Sequence, residues 1–417
     1  MGYLRAYARG TDGSCATAGL LRAAVVLACQ HRQPLMNKPS SSEGPSARLQ
    51  GRLADRDNNF DILRLAAATM VLVGHSFFLA GHSEPLVPLT DAGLAYGGVL
   101  VFFAISGFLV TRSWLNEPRF LPFAAKRGLR IMPGLVVALV LTAYAFGLLT
   151  TTTGRLEYLS QSDPAEYVAE RSLMLGYHTV QGRLFGFPED SLPGVFEANP
   201  EPAVNGPLWT LPVEVSAYAV LALGGLLLLR RRWFIRIGAT VLFIGAGVLV
   251  VWTGGGMAAS LFAVFAGGVL LYMLRDRLKL SVGLFAAAVA LWVASYQLPL
   301  VAQAVLTGLT LPYAVVFLAL RGLDRMRWLT RPGDLSYGIY IYAWPVGQIV
   351  IDGSGTRNPA VVIALSGVLT YILAFASWRA IERPALRLKR RFSHPSVRST
   401  VVGSEADLVP NAASSAP

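Results

Sequence analysis

The sequence predicts an all-α, polytopic membrane helix bundle of about ten transmembrane helices with both termini cytoplasmic. Three observations carry that prediction. Of the 417 residues, 54% are hydrophobic and only 14% charged, against roughly 25% charged in a soluble domain, so the chain cannot clothe a water-facing surface of the size its length demands. Ten apolar runs approach the roughly 20 residues that cross a bilayer as a helix. Basic residues also crowd every second joint between those runs, the pattern by which insertion reads orientation.

The runs cover residues 60–80, 93–113, 132–152, 208–229, 235–253, 257–274, 280–297, 299–320, 335–351 and 359–379. The basic joints hold Arg112, Arg119, Lys126, Arg127 and Arg130 before the third run, Arg230, Arg231, Arg232 and Arg236 after the fourth, Arg275, Arg277 and Lys279 after the sixth, and Arg321, Arg325, Arg327 and Arg331 after the eighth. The opposite joints carry only Arg155, Arg171, Arg183 and Arg357. A missed or invented span would put later basic joints on the wrong side, and none falls there. The net charge of +12 therefore serves topology, which removes the case for nucleic acid as a partner and leaves membrane lipid as the first one.

Three regions follow. Residues 1–56 form an N-terminal tail, residues 57–392 the transmembrane domain and residues 393–417 a C-terminal tail, both tails being polar and rich in Ser, Pro and small residues near the bundle. Residues 1–35 have a basic start and a 14-residue apolar stretch from Ala16 to Cys29 interrupted by Arg22. That stretch reads either as a signal-like segment or as an extension upstream of a start at Met36. Two cysteines and five histidines, with neither CxxC nor HExxH, leave no material for a metal cage, so no metal site is expected. The joint 154–206 is the one large segment outside the bilayer. It carries eight acidic residues and a Pro-rich stretch from Phe187 to Pro207, which suggests an extended cover over the mouth of the bundle.

Charges within spans are costly, so each is a candidate site residue. Arg64 and His75 stand eleven residues apart in the first run. At 100° per residue they fall within about 20° on one stripe, about 16 Å apart along the axis. Pairing of Arg64 with Asp61 and simple packing of His75 are the structural alternatives. Glu214 in the fourth run lies at the same depth as His75, so a carboxylate is expected to orient an imidazole that serves as general base for a hydroxyl; a bare ion pair is the alternative. Ser106 in Phe102-Phe103-Ala104-Ile105-Ser106-Gly107-Phe108 reads first as a small residue for close helix packing, with a nucleophile or a donor contact as the functional alternatives. Arg127 and Arg130 suit a clamp for a phosphorylated donor arriving from the cytoplasm. The tyrosine-rich start of the ninth run, Ser336-Tyr337-Gly338-Ile339-Tyr340-Ile341-Tyr342, suits a cavity lining in which Tyr337 meets the donor. Trp209 and Asn205, at the outer end of the fourth run, are candidate acceptor contacts.

Together with Lys126-Arg127-Gly128-Leu129-Arg130-Ile131-Met132-Pro133, Trp209-Thr210-Leu211-Pro212-Val213-Glu214 and Glu382-Arg383-Pro384, these segments resemble the membrane acyltransferase-3 family, whose multi-pass members O-acylate surface carbohydrates and related hydroxyl acceptors. The resemblance implies a cytoplasmic acyl-CoA, usually acetyl-CoA, as co-substrate with no permanently bound cofactor, an extracytoplasmic carbohydrate acceptor, and residence in the cell inner (plasma) membrane. It also marks Arg64 and His75 as an essential pair. Many members carry a histidine in the ninth span where this chain has Ala343, so His75 and Glu214 must suffice here. The rival expectation is a transporter or flippase for a glycan or acylated metabolite, whose buried charges would line a transport path.

Overall fold

The computed structural model describes residues 58–86, 93–174, 179–180, 183–184, 191–228, 256–321 and 323–392, with isolated positions between 238 and 252. The tails at 1–56 and 393–417, the readings of residues 1–35, and most of the run at 235–253 lie outside the described residues. Among the described residues the long elements are helices, and the strands are a minimal antiparallel ribbon, Thr179–Val180 against Arg183–Leu184, with Thr179 opposite Leu184. Without water to take up backbone groups, a segment crossing hydrocarbon must bond its own amides, and the long apolar runs do so as helices.

The helices are α1 (Phe60–Leu79), α2 (Leu94–Asn116), α3 (Phe120–Val140), α4 (Arg155–Ser160), α5 (Asp163–Ser172), α6 (Thr210–Leu228), α7 (Met257–Met273), α8 (Val282–Ser295), α9 (Leu300–Arg321), α10 (Ser336–Ser354), α11 (Pro359–Ser377), α12 (Arg383–Arg387) and α13 (Lys389–Phe392). Among the described residues six helical segments are long and apolar enough to cross a membrane: Phe60–Leu79, Leu94–Asn116, Phe120–Thr150, Gly206–Leu226, Leu300–Arg321 and Pro359–Arg387. Helices α7 and α8 are apolar but shorter. Helix α10 has the length, but its three tyrosines, Gln348 and Asp352 make it too polar to join the six. It is nevertheless almost wholly buried, with Ile339, Ile341 and Gln348 inaccessible. A helix enclosed by others needs no apolar surface for lipid.

One boundary departs clearly from expectation. The basic segment 126–133 was expected to precede the third span, and it is instead the first half of that span's helix, which starts at Phe120. Lys126, Arg127 and Arg130 are thus fixed on a rigid rod. The rod accommodates Pro133 and continues through a widened π-type turn, Leu141–Phe146, to Thr150.

Packing runs from helix to helix in the order α8, α9, α7, α2, α1, α10, α11. Glycines set the spacing in the middle of this row. A Cβ on Gly98 of α2 would stand 2.5 Å from the Ala67 carbonyl oxygen of α1, and one on Gly107 would stand 2.1 Å from the Phe265 carbonyl oxygen of α7. On α7, Gly268 faces the Ala104 carbonyl of α2 and Gly267 faces Gly308 of α9 just as closely. Backbones in contact gain dispersion that lipid-facing leucines cannot supply. At the row's end α11 turns Val361, Leu365, Val368, Leu369, Ile372 and Phe375 outward, as a lipid-facing helix does.

Residues 191–206 form a strap that returns toward α6 over the end of α10. The strap is tied by side chains of α10: Gln348 Nε2 donates to the Glu201 and Ala203 carbonyls at 2.6 and 2.7 Å, and Trp344 Nε1 donates to Ala203 at 2.8 Å. The stretch Phe187–Pro207 expected as a cover is described from residue 191 onward, where these bonds hold it against α10.

The glycine contacts make a direct prediction. Gly107→Val must force α2 from α7, at a cost of about 1–3 kcal/mol or more, while Gly128→Ala on α3, where nothing lies within 4 Å, should be neutral or slightly stabilising. Thermal melting of the two detergent-solubilised variants against the parent checks the contrast.

Candidate active site

Three groups of polar side chains lie along the bundle, and the first gathers at the end where α1 begins. Arg64, one turn into α1, bonds Asp61 at 3.0 Å and approaches Asp334 at 3.9 Å. Arg130 of α3 bonds the same Asp334 oxygen at 2.6 Å. The Ser336 hydroxyl donates to the other oxygen, and Tyr337, whose hydroxyl donates to the Ile131 carbonyl at 2.6 Å, lies beneath the Arg130 guanidinium. Burial alone would raise the Asp334 carboxyl, but Arg130 and Arg64 outweigh it and hold the group down at about 2.

Positive charge predominates here. Lys126 is paired with Glu117, whereas Arg127 rests over the Phe123 and Tyr218 rings, reaches Ser113 at 3.4 Å, and keeps a buried Nε with no hydrogen-bond partner. Lys389 in α13 joins from the far end of the domain. Burial pushes its ammonium down, and Arg127, Arg130, Lys126 and Arg64 push it further, to about 8. Glu382, 2% exposed, sits behind this cluster with Ser377 on one oxygen and none on the other.

The second group joins α6 to α2. Glu214, in the second turn of α6, accepts from the Ser106 hydroxyl at 3.3 Å and from the Tyr218 hydroxyl. Ser106 and Tyr218 are themselves 3.4 Å apart. Arg127 over Tyr218 connects this network to the basic end.

The third group faces the strap. His75, in the last turn but one of α1, makes an edge-on contact with Trp344 at 4.9 Å and 81°. Its Nδ1 is buried without a hydrogen-bond partner, while part of the residue keeps accessible surface. Tyr340 donates to the Pro207 carbonyl at 2.8 Å, and Asn205 Nδ2 donates to Ile341 at 3.0 Å. Among the described residues no three His, Cys, Asp or Glu side chains stand close enough to hold a metal ion.

One α-helix therefore joins a cationic cluster at one end of the bundle to an imidazole near the other. The profile of the acyltransferase-3 family, described as an acyltransferase domain, matches residues 57–379, the stretch that contains all three groups apart from Glu382 and Lys389. The chain belongs to the acyltransferase-3 family. It is an acyltransferase and a multi-pass membrane protein. Similar proteins include an "O-acetyl transferase" of Shigella phage Sf6, 28% identical over 348 residues that cover 79% of this chain and 96% of the phage protein. "Nodulation protein 10" of Rhizobium leguminosarum bv. viciae is 32% identical over 370 residues, 80% of this chain and 94% of the relative. No solved structure matches significantly.

The acyltransferase brings together Arg64, Arg130 and Tyr337, with Arg127 adjoining, as one cluster. Ser106 stands apart from that cluster, and Gly107 beside it makes the close helix contact that the packing alternative required. The expected hydrogen bond between Glu214 and His75 is not formed: equal depth fixes position along the membrane normal only, and rotation of α6 turns Glu214 toward Ser106 and Tyr218. Asn205 spends its amide on the strap's attachment, and Trp209 is 7% exposed in the turn Gly206–Trp209. The sequence singles out neither Asp334 nor Lys389, and Trp344 stands in it only as one of the aromatics of the ninth run. A carboxylate two residues before Ser336, in a joint rich in arginine, was the available signal for Asp334.

Asp334→Asn should cost about 1–3 kcal/mol, since it leaves two partly screened arginines facing one another. The depressed carboxyl also sets a sign: its contribution is complete above about pH 4 and is lost as pH falls through about 2. Melting of the parent protein should accordingly show no Asp334-dependent change between pH 5 and 8, and the parent–variant gap should close only in strong acid.

Proposed function

We propose that this protein is an integral O-acyltransferase of the cell inner (plasma) membrane that moves an acyl group, acetyl in the first instance, from cytoplasmic acyl-CoA to a hydroxyl of an extracytoplasmic carbohydrate. The observation that carries the reading is α1, which presents Arg64 to a cluster of excess positive charge and His75, about 16 Å further along, to the Trp344 ring that holds the strap. The printed name of the phage relative supports acetyl as the group moved. The alternating basic joints support ten spans with both termini and the cationic pocket on the cytoplasmic side.

In this reading Arg64, Arg127, Arg130 and Lys389 hold the phosphates of the donor, with Tyr337 against its arm. The pantetheine arm enters the bundle and brings the thioester toward His75. A hydroxyl of the acceptor, arriving from the strap side near Asn205 and Trp209, gives its proton to His75 while its oxygen attacks the thioester carbonyl. The tetrahedral adduct collapses by breaking the carbon–sulfur bond, the proton passes to the thiolate, and an ester and free CoA leave. Glu214 acts from its network with Ser106 and Tyr218, between donor pocket and reacting centre, and not by gripping the imidazole.

His75→Ala should abolish acyl transfer, a loss of at least about a hundredfold for a general base, with membrane insertion and melting retained. Arg64→Ala should chiefly raise the donor KM. Purified protein with radiolabelled acetyl-CoA and membrane glycan checks both, and label that never reaches a hydroxyl in the parent protein would favour the transporter instead.

The Lys389 ammonium makes a pH prediction. Its charge is present below about pH 8 and lost above it, so the donor KM should rise roughly threefold to tenfold from pH 7 to 9. Lys389→Met should show a raised and flatter KM across that range.

A further inference from the structure

The imidazole of a general base has to be held in one orientation, and in most such sites a carboxylate or carbonyl on the second ring nitrogen does this. Here His75 Nδ1 is buried with no hydrogen-bond partner among the described residues, and Glu214 is committed elsewhere. What touches the ring is the Trp344 indole, edge-on at 4.9 Å. That indole is itself tightly held. Its Nε1 donates to the Ala203 carbonyl at 2.8 Å, and its six-membered ring lies so close over Gly206 that a Cβ there would stand 3.1 Å from two ring carbons. Phe78, one turn of α1 beyond His75, flanks its other side at 5.9 Å.

One turn along α10, Gln348 fixes the same stretch of strap. Its amide donates to the Glu201 and Ala203 carbonyls, and Asn199 Nδ2 donates back to the Gln348 side-chain oxygen at 2.9 Å and to its backbone carbonyl at 3.2 Å. The side chain is completely buried, so all of these bonds are made in a site closed to water and are expensive to lose. Ala203 is thus held twice, once by the amide and once by the indole. A shift of the strap must move Trp344, and a shift of Trp344 must move or release His75.

We infer that Trp344 is the positioning residue of His75, and that the strap 199–206, locked by Gln348, sets the orientation of the imidazole through that single indole. The inference rests on the acyl-transfer reading above. The strap then has a role beyond covering the bundle: it is the orienting element that a carboxylate supplies elsewhere. Since a misplacement of about 1 Å costs up to about a hundredfold in rate, loosening any member of the chain lowers turnover without touching the donor pocket.

The test uses the full chain in membrane vesicles of the expressing strain, with [14C]acetyl-CoA as donor and the strain's own surface glycan as acceptor. Trp344→Phe keeps an aromatic ring but cannot donate to Ala203; Gln348→Met unlocks the strap without altering the surroundings of His75; Gly206→Ala presses on the indole. Each should lower the transfer rate tenfold or more at unchanged donor KM, and the Trp344→Phe/Gln348→Met double variant should be no slower than the slower single one, because both act through one path. Parental rates in Trp344→Phe, or multiplicative losses in the double variant, would overturn the inference. A second readout needs no turnover: carbethoxylation of His75 by diethyl pyrocarbonate, followed by mass spectrometry on protein whose melting matches the parent, should be several-fold faster in the variants. Equal rates would count against Trp344 even if acyl transfer were absent from every sample, whereas absent transfer in the parent with faster modification in the variants would strike only at the proposed reaction.

Discussion

At the basic end the Asp334 carboxylate lies between Arg130 at 2.6 Å and Arg64 at 3.9 Å, and these three side chains come from α3, the joint before α10, and α1. Two arginines at the mouth of an apolar bundle would repel one another and could not remain half-buried unaided. The shared Asp334 carboxylate makes their approach tolerable, with Asp61 also on Arg64, and Arg127 and Lys389 beside them keep positive charge in the cluster. The same carboxylate also takes the Ser336 hydroxyl and so fixes the first turn of α10. Everything that α10 positions further along, from Tyr340 under the strap to Trp344 against His75, starts from that point.

Much of this arrangement was legible in the residues. Long apolar runs mark helices because hydrocarbon leaves the backbone no other partner, and nine of the ten expected runs coincide with helices in the described residues. The miss at α3 has a definite cause. Hydropathy places the start of a span where charge ends, but Lys126, Arg127 and Arg130 all find partners inside the protein, so the helix runs on through them to Phe120. Helix α10 shows the converse, a polar sequence that is deeply enclosed and therefore has no need to resemble a lipid-facing one.

The site was legible in one dimension. Counting residues from the ends of α1 and α6 places His75 and Glu214 at one depth, and puts Arg64 on the stripe of His75. Rotation about each helix axis, and which helix neighbours which, decide contact, and neither is written in a local run. Glu214 therefore meets Ser106 and Tyr218, while the ring that meets His75 belongs to Trp344, almost 270 positions away in the chain. Likewise the strap could be read as a cover from its prolines and acids, but its grip on Gln348 is formed by backbone carbonyls, which every residue possesses.

The widened turn at Leu141–Phe146 in α3 has an outcome of its own. A π-type turn is one residue inserted into a regular helix, so it offsets the two halves of α3 by about 100° of phase. The stretch bearing Arg127 and Arg130 and the stretch Gly147–Thr150 are consequently aimed independently. Within the turn the Ala143 carbonyl accepts the Tyr158 hydroxyl at 2.7 Å, and Gly147 leaves room for that phenol, which anchors α4 outside the row of spans. Deleting a single residue between 141 and 146 would yield a more regular helix and a worse protein: it would oblige one rod to face its cationic cluster or the Tyr158 phenol of α4, but not both.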